Sequence, residues 1–205
     1  MSETADAAIP ERPRVIVLAG PNGAGKTTTA RAALYEVLRV DEFVNADQIA
    51  LGLAGFAPDS AALEASGLML QRLRSLAQRR ASFAFETTLA SRSLAPWIRG
   101  LIVDGYDFHL IFVSLLNAEI AIARVRERVR RGGHGIPEDV IRRRFHRGIR
   151  NFFELYMPLA IEWRIVDNSS VKLAPVANGR FEAVESIRSL EMWERFRGSE
   201  TDEGK

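Results

Sequence analysis

Eight residues beginning at Gly20 have the types and spacing of a phosphate-binding loop. They follow an apolar, β-branched run and fit Gly-x-x-x-x-Gly-Lys-Thr, with a helical sequence directly after. Glycines let backbone N–H groups turn towards phosphate oxygens, and the helix start adds a favourable dipole. We expect Lys26 to neutralise the outer phosphates of ATP and the Thr27 hydroxyl to bind Mg²⁺. The predicted ATP-binding residues here are Gly20, Pro21, Asn22, Gly23, Ala24, Gly25, Lys26, Thr27 and Thr28.

The segment after the second predicted strand offers a candidate catalytic base. It reads Val44-Asn45-Ala46-Asp47, and ligands of parallel sheets bind at the carboxyl ends of the strands. A phosphoryl acceptor needs a carboxylate near its hydroxyl proton, which is the role that we predict for Asp47. The alternative is that Asp47 caps the helix that follows, because Asp is a favoured N-cap. Asn45 is predicted to bind substrate.

A second carboxylate, Glu86, follows the third predicted strand and precedes Thr87 and Thr88. It is suited to accept hydrogen bonds from a sugar or to hold Mg²⁺ through water, or else it caps the next helix. No apolar run ends in Asp-Glu, which disfavours hydrolysis by a glutamate-activated water and favours transfer to a bound hydroxyl. Asn168 follows the last predicted strand and is expected near the nucleotide base.

Ten arginines lie between residues 124 and 150, against only three acidic residues. Two helices joined by a glycine-rich turn carry them, which is typical of a mobile lid that excludes water and stabilises charge on a transferring phosphate. The other interpretations are a nucleic-acid surface and a solvated helix face. The predicted phosphate contacts from this lid are Arg126, Arg130, His134, Arg143 and Arg144.

Composition limits the class of protein. The chain has 205 residues, 47% of them hydrophobic, and a net charge of +2, with 28 basic residues of which only Lys26, Lys172 and Lys205 are lysines. Without cysteine, disulfides, thiolate metal sites and thiol nucleophiles are excluded, and three histidines are few for a metal cluster. No apolar stretch approaches the about 20 residues of a membrane span, and the N-terminus lacks a signal pattern. We therefore expect a soluble, cytoplasmic protein.

Strand and helix signals alternate along the chain. Near-continuous apolar runs predict strands at 14–19, 42–45, 82–85, 108–115 and 163–166, separated by helices at 26–38, 59–80, 91–103, 117–131 and 137–161. This alternation predicts an α/β fold in which helices flank a parallel sheet on both sides, and a last helix is predicted at 181–196. We expect one domain at 14–197 with a lid at 124–150, and flexible termini at 1–13 and 198–205. A helical stripe predicted to lie in the core consists of Ile141, Phe145, Ile149, Phe152 and Tyr156.

The combination of motifs resembles the small zeta-toxin-like kinases, a branch of the P-loop kinases. The matching segments are 20–28, 44–47, 85–89, 130–145 and 166–169, so that the resemblance covers most of the chain. It implies a P-loop NTPase fold with a five-stranded parallel sheet. It further implies an ATP- and Mg²⁺-dependent phosphotransferase, with UDP-N-acetylglucosamine as acceptor. It also implies a small antitoxin protein as a partner.

The same resemblance implies roles for single residues. Asp47 would take the acceptor proton, Glu86 and Thr88 would hold the sugar nucleotide, and Arg124 would clamp the phosphates. Thr87 and Arg92 are assigned to the acceptor pocket on the same grounds. Where a lid arginine is expected near residues 132–135, this chain has His134, with Arg142, Arg143 and Arg144 nearby.

Two functions from other classes compete with this prediction. The arginine-rich segment suits a nucleic-acid binder or a polynucleotide-end kinase, although its aromatic residues fall on the apolar stripe and are not interleaved for base stacking. A regulatory module that binds ATP without transferring phosphate is the other alternative.

Overall fold

The computed structural model describes residues 12–33, 40–54, 58–133, 135–170 and 172–201. Most of the predicted termini, the end of the first predicted helix at 34–38 and the predicted lid residue His134 lie outside the described residues.

A seven-stranded sheet in the order β2-β3-β1-β4-β5-β6-β7 forms the centre of the fold. Its first five strands are parallel and the last two are antiparallel. The strands are β1 (Arg14–Ala19), β2 (Glu42–Val44), β3 (Phe83–Thr87), β4 (Asp107–Ser114), β5 (Glu162–Asp167), β6 (Ala174–Arg180) and β7 (Ala183–Ile187).

Helices cover this sheet. They are α1 (Lys26–Ala33), α2 (Ala46–Leu53), α3 (Ala62–Gln78), α4 (Leu94–Val103), α5 (Ala118–Arg130), α6 (Glu138–Asn151) and α7 (Leu190–Thr201). A π-helical turn, Phe152–Tyr156, continues α6, and the predicted apolar stripe that runs through both is buried, as expected. None of the described helices has the length and apolar character needed to cross a membrane.

Strand β1 lies between β3 and β4 and is the most deeply buried part of the sheet. Val15, Ile16, Val17 and Leu18 have no exposed surface, as expected for β-branched and apolar residues of a strand covered on both faces. In register, Ala19 pairs with Thr87 on one side and with Phe112 on the other. The loop that follows β1 therefore begins next to the end of β3.

The predicted count of five strands is wrong, because β6 and β7 extend the sheet beyond β5. The helix predicted at 181–196 begins at Leu190, and part of its expected span forms β7. A Cβ atom at Gly179 would lie 2.0 Å from the Ala183 carbonyl oxygen and 2.5 Å from the Trp163 ring. Trp163 also donates a hydrogen bond to the Phe181 carbonyl at 2.8 Å, so the hairpin packs tightly on β5.

The end of the last helix also differs from the prediction. Helix α7 continues to Thr201, so the predicted domain boundary at 197 falls inside a helix. Trp193 and Phe196 of α7 are buried, with Trp193 stacked on Trp163 at 6.1 Å between ring centroids. These aromatic contacts fix α7 against the antiparallel end of the sheet.

Candidate active site

The loop at residues 20–27, hereafter the P-loop, has a conformation that depends on glycine. Gly20, Gly23 and Gly25 have φ angles of +141°, +76° and +79°. A Cβ atom at Gly20 would lie 2.2 Å from the Val113 carbonyl oxygen, so no larger residue fits there. The side-chain amide of Asn168 donates to the Ala24 carbonyl at 2.8 Å, which ties the loop after β5 to the P-loop.

Lys26 opens helix α1 and is almost completely buried. Its Nζ atom donates to the carbonyl oxygens of Gly20 at 2.9 Å and Pro21 at 3.0 Å. The carboxylate of Glu86 lies 3.6 Å away. Burial lowers the pKa of Lys26, while the negative charges of Glu86 and Asp47 act in the opposite direction. The ammonium group therefore lies among oxygen acceptors at the position where a phosphate would bind.

Glu86 connects the P-loop to the ends of β2 and β3. Its Oε2 atom accepts hydrogen bonds from the Thr27 hydroxyl and from the Asn45 side-chain amide, both at 2.8 Å. Helix α4 begins only at Leu94, and its N-cap is Ser93, so the alternative in which Glu86 caps that helix is wrong.

Thr27 and Glu86 form an oxygen donor set of the kind that Mg²⁺ prefers. Among the described residues no group of three or more His, Cys, Asp or Glu side chains could hold a metal ion. Mg²⁺ commonly keeps several waters and binds one or two protein oxygens together with substrate phosphates. The residues present therefore fit a magnesium ion bound with a nucleotide.

Asp47 lies in the first turn of α2 and does not cap it. The cap is Asn45, whose side-chain oxygen accepts hydrogen bonds from the backbone N–H groups of Asp47 at 2.8 Å and Gln48 at 3.3 Å. The capping interpretation of Asp47 is thus wrong. No described residue donates a hydrogen bond to the Asp47 carboxylate, which is exposed and lines the cavity beside the P-loop.

A cavity of about 690 Å³ opens beside the P-loop, and we call it the P-loop cavity. Much of its lining is polar and consists of predicted site residues together with serine and threonine side chains. The rest of the lining is apolar. The lining residues are Asn22, Lys26, Asn45, Ala46, Asp47, Ser66, Met69, Leu70, Glu86, Thr87, Thr88, Ala90, Ser91, Ser93, Leu94, Arg143, Arg144 and Arg147. The volume is in the range of small-molecule sites.

The loop from Thr88 to Ser91, which forms one wall of the cavity, is held by α6 and the π-helical turn. A Cβ atom at Gly148 would lie 2.5 Å from the Thr88 carbonyl oxygen, so the helix can approach only because this residue is glycine. Asn151 donates to the Leu89 carbonyl at 2.6 Å, and the Tyr156 hydroxyl donates to the Ser91 carbonyl at 2.9 Å.

Burial raises the pKa of Tyr156 to about 12, so its hydroxyl remains a donor at neutral pH. Sequence reasoning missed Gly148, Asn151 and Tyr156 as site residues. The π-helical turn occupies the end of a segment predicted to be continuous helix, and no local pattern indicates it.

Seven of the ten arginines of the predicted lid form two sets. Those that we call outer arginines pair with glutamates away from the P-loop cavity. Arg126 pairs with Glu138, Arg130 and Arg131 with Glu127, and Arg142 with Glu119. The structure thus does not bring Arg126 and Arg130 to the cavity. Arg92, assigned by resemblance to the acceptor pocket, lies 3.6 Å from Glu154 and is likewise not among the lining residues.

The inner arginines are Arg143, Arg144 and Arg147, which line the P-loop cavity from α6. Arg144 donates to the side-chain oxygen of Asn22 in the P-loop, with 3.5 Å between the atoms. Arg147 was not predicted as a site residue, although it shares a helical stripe with Arg143.

Arg124 and Arg128 lie on α5. Arg124 donates to the Ser169 carbonyl at 3.1 Å, and a Cβ atom at Gly23 would come within 3.3 Å of its own Cβ. It thus lies beside the P-loop and the loop after β5, outside the cavity lining. Arg128 is close enough to Lys26 for its charge to contribute to the lowered pKa of the lysine.

Comparison with known families assigns the fold. Residues 15–155, which include the P-loop, Asp47, Glu86 and all of α6, match the family model AAA_33, described as an AAA domain. The chain belongs to the AAA_33 family. The matched residues contain the P-loop and strands β1 to β4 apart from the first residue of β1, whereas β5, β6 and β7 lie beyond the match.

One protein similar in sequence and two similar in structure can be compared with this AAA_33 domain. An uncharacterized protein of Haemophilus influenzae is 26% identical over 132 residues, which cover 64% of this chain and 92% of that protein. A chain of the AvrRxo1-ORF1:AvrRxo1-ORF2 complex solved with sulphate ions superposes with a TM-score of 0.75 at 18% identity, over 95% of this chain and 66% of that chain. The same complex is also known with ATP. This AAA_33 chain thus spans just under two thirds of the AvrRxo1 chain.

The PezAT chromosomal toxin–antitoxin system of Streptococcus pneumoniae gives the third match. A chain of that structure superposes with a TM-score of 0.55 at 17% identity, and the superposition covers 96% of this chain and 89% of that chain. At these identities the likeness shows a shared fold alone.

Proposed function

We propose that this AAA_33 protein is an ATP- and Mg²⁺-dependent kinase that transfers the γ-phosphate of ATP to a hydroxyl group of a small acceptor. The observation that carries the proposal is the placement of Asp47, Glu86 and Lys26 on one cavity beside the P-loop. A carboxylate without a hydrogen-bond donor among the described residues, beside a phosphate site, is the arrangement that proton removal from an acceptor requires.

In the proposed reaction the acceptor oxygen attacks the γ-phosphorus. A new O–P bond forms, the bond between the γ-phosphorus and the β,γ-bridging oxygen breaks, and ADP leaves with that oxygen. The acceptor proton passes to the Asp47 carboxylate. Lys26 balances charge on the transferred group, and the backbone of the P-loop holds the phosphates. Thr27 and Glu86 would hold Mg²⁺, which when bound neutralises the phosphate oxygens.

The acceptor that we propose is UDP-N-acetylglucosamine. The motifs resemble the zeta-toxin-like kinases, and the PezAT toxin–antitoxin system shares the fold. The P-loop cavity is large enough for a ligand of this class and combines an apolar wall with hydroxyl and guanidinium groups. By the same analogy we propose a small antitoxin protein as partner, since the AvrRxo1 and PezAT structures contain partner or antitoxin proteins.

A nucleic-acid binding function has less support from the geometry. The outer arginines, which would have to follow a phosphate backbone, pair with glutamates on the same two helices. Such pairing reduces the net positive charge that non-specific binding of nucleic acid needs.

Incubation with γ-labelled ATP and Mg²⁺ tests the proposal, with sugar nucleotides, free sugars, nucleosides and short RNA as acceptors. We expect label in UDP-N-acetylglucosamine. In the Asp47→Asn variant transfer should fall by about 100-fold or more, while ATP binding stays within about twofold. Asp41→Asn, an exposed aspartate before β2, is the matched control and should retain full activity.

The remaining outcomes separate the alternatives. Label in another acceptor, lost in Asp47→Asn, keeps the mechanism and overturns the proposed acceptor. ATP binding without transfer to any acceptor contradicts the kinase proposal and indicates a regulatory module. Equal loss of ATP binding and transfer in Asp47→Asn contradicts the catalytic role of Asp47.

A further inference from the structure

We propose that Asn168 is a positioning residue that holds the P-loop in its phosphate-binding conformation through a hydrogen bond from outside the loop. This inference rests on the proposed use of the P-loop as a nucleotide site. It names a residue that acts through the loop backbone and does not itself touch phosphate. The consequence is that Asn168 should influence the binding of every ligand that carries phosphates into the P-loop, whatever base the ligand has.

The contact between Asn168 and the P-loop is direct and close. The side-chain amide donates to the Ala24 carbonyl oxygen at 2.8 Å, and a Cβ atom at Gly25 would lie 2.6 Å from the same amide nitrogen. The amide therefore packs against the backbone of two consecutive loop residues. Asn168 is not among the residues that line the P-loop cavity, so this contact lies outside the cavity.

The loop that carries Asn168 is itself fixed to the end of β4. The backbone N–H of Asn168 donates to the Ser114 carbonyl at 3.0 Å, and the buried Ser114 hydroxyl donates to the Val166 carbonyl at 3.1 Å. On the other side of Asn168, the Ser169 hydroxyl accepts a hydrogen bond from the Leu116 N–H at 2.7 Å. These bonds fix the backbone before and after Asn168, so its amide approaches the P-loop from a defined position.

Helix α5 supports the neighbouring part of the P-loop. A Cβ atom at Gly23 would lie 2.8 Å from the Ala121 carbonyl oxygen and 3.3 Å from the Arg124 Cβ atom. Arg124 in turn donates to the carbonyl of Ser169, the residue after Asn168, at 3.1 Å. The P-loop, α5 and the loop after β5 thus pack as one unit, in which Asn168 supplies a hydrogen bond to the P-loop backbone.

The P-loop benefits from external support because of its glycines. Gly20, Gly23 and Gly25 are three of its eight residues, and glycine loses more conformational freedom than any other residue when its backbone is fixed. Lys26 also donates to carbonyl oxygens of the loop, but a bound phosphate competes for its ammonium group. The Asn168 bond lies outside the cavity and is not subject to that competition. A loop that is already ordered loses less entropy when phosphate binds.

The test compares ligands that share a triphosphate group and differ in the base. Calorimetric titrations with Mg²⁺ use the non-hydrolysable analogues AMP-PNP and GMP-PNP, and inorganic tripolyphosphate, which has no base. We expect Asn168→Ala to weaken each ligand that the wild-type protein binds by the same factor, about fivefold or more. The matched control is Asn178→Ala, whose side-chain amide donates to Glu185 in the β6–β7 hairpin, and which should bind these ligands like the wild type.

The other outcomes of these titrations are distinct. Weakening confined to AMP-PNP would show that Asn168 binds the base and overturns the inference, as does equal binding in the wild type and in Asn168→Ala. If the wild-type protein binds none of the three ligands, the nucleotide site and this inference both fail. Weakening of tripolyphosphate binding in Asn168→Ala supports the inference even if no acceptor is phosphorylated, an outcome that contradicts the kinase proposal alone.

Asn168→Asp separates loss of the hydrogen-bond donor from loss of the side chain. The introduced carboxylate has the shape of the amide but cannot donate to the Ala24 carbonyl, whereas its protonated form can. Nearby phosphate disfavours the charged form, so tripolyphosphate binding relative to the wild type should strengthen as the pH falls from about 8 to about 5. The same ratio for Asn168→Ala should stay constant. A ratio for Asn168→Asp that does not change with pH would show that the side chain only fills space, and overturns the inference.

Discussion

The side chains of Lys26 and Glu86 lie 3.6 Å apart and are largely shielded from solvent. Burial lowers the pKa of Lys26, and Glu86 is the largest opposing influence. Glu86 also receives hydrogen bonds from Thr27 and Asn45, so one carboxylate orients the groups that would surround the nucleotide phosphates and the metal ion. Removal of its charge should therefore affect nucleotide binding in a way that depends on Mg²⁺.

We predict that Glu86→Gln decreases the Mg²⁺-dependent increase in ATP affinity by about tenfold, because the variant loses a carboxylate that holds the ion. Binding of ATP without Mg²⁺ should not weaken, since the variant also removes a negative charge near the phosphates. Titration of ATP with and without Mg²⁺ measures both effects. The exposed Glu64→Gln serves as control. Equal weakening with and without the ion would contradict a role in metal binding.

The placement of the candidate site residues could be predicted from sequence because these residues lie in short segments. The P-loop, Asn45, Asp47 and Asn168 each follow a strand and Glu86 lies near the end of β3, where the structure extends the predicted strand by two residues. Parallel strands bring those positions to one edge of the sheet. Side-chain partners could not be predicted in the same way. The pairing of Arg126 with Glu138 and the capping role of Asn45 depend on geometry that spacing does not determine.

Helix α6 and its π-helical continuation are the element that gives the P-loop cavity its shape. One face is in the core, a second carries the inner arginines, and the end holds the loop after β3. The contact of Asn151 with Leu89 joins residues 62 positions apart, which explains why sequence patterns gave no indication of it. The same holds for Gly148, whose neighbour is Thr88.

We predict that Tyr156→Phe raises the acceptor KM, because the Ser91 carbonyl loses its donor and the cavity wall becomes less ordered. A matched control is Tyr106→Phe, since Tyr106 donates to the Ala81 carbonyl at 2.9 Å, away from the cavity. Both variants should lose about 1 kcal/mol of unfolding free energy in urea titrations. Only Tyr156→Phe should change the acceptor KM; an equal effect in both would show that the contact is purely structural.

The antiparallel hairpin is the element that sequence patterns predicted incorrectly. Val184, Ile187, Leu190 and Trp193 recur at helical spacing, yet the first two lie in or end β7. Asn178-Gly179 is typical of a turn, but both residues lie within β6, where the Ala183 carbonyl and the Trp163 ring leave no room for a side chain at position 179. A long-range contact with an aromatic ring thus overrides the local preference.

At the scale of the whole molecule, we expect the half-buried His109 on β4 to make the free energy of unfolding depend on pH. Burial lowers its pKa below the usual 6.5, although Glu162 and Asp107 act in the opposite direction and Arg14 in the same one. Below pH 6.5 the unfolded chain binds a proton that the folded chain does not bind until the pH reaches the lowered pKa. The free energy of unfolding should therefore fall as the pH decreases through that window.

We predict that His109→Gln makes unfolding less sensitive to pH in this range. Urea titrations of both proteins at about pH 7.5 and about pH 5.5 measure the effect. The wild-type protein should lose more stability than the variant on acidification. An equal loss in both would assign the acid sensitivity to other groups.

The arrangement of α6 also bears on how such enzymes diversify. The predicted nucleotide-binding residues belong to the P-loop, the start of α1 and the loop after β5, whereas Arg143 and Arg147 lie on one side of a helix whose other sides are in the core or paired with α5. Under the proposed function, replacing these two side chains would alter the acceptor contacts without altering any residue of the P-loop. A gene duplicate could therefore acquire a new acceptor through few substitutions while it keeps its phosphate donor.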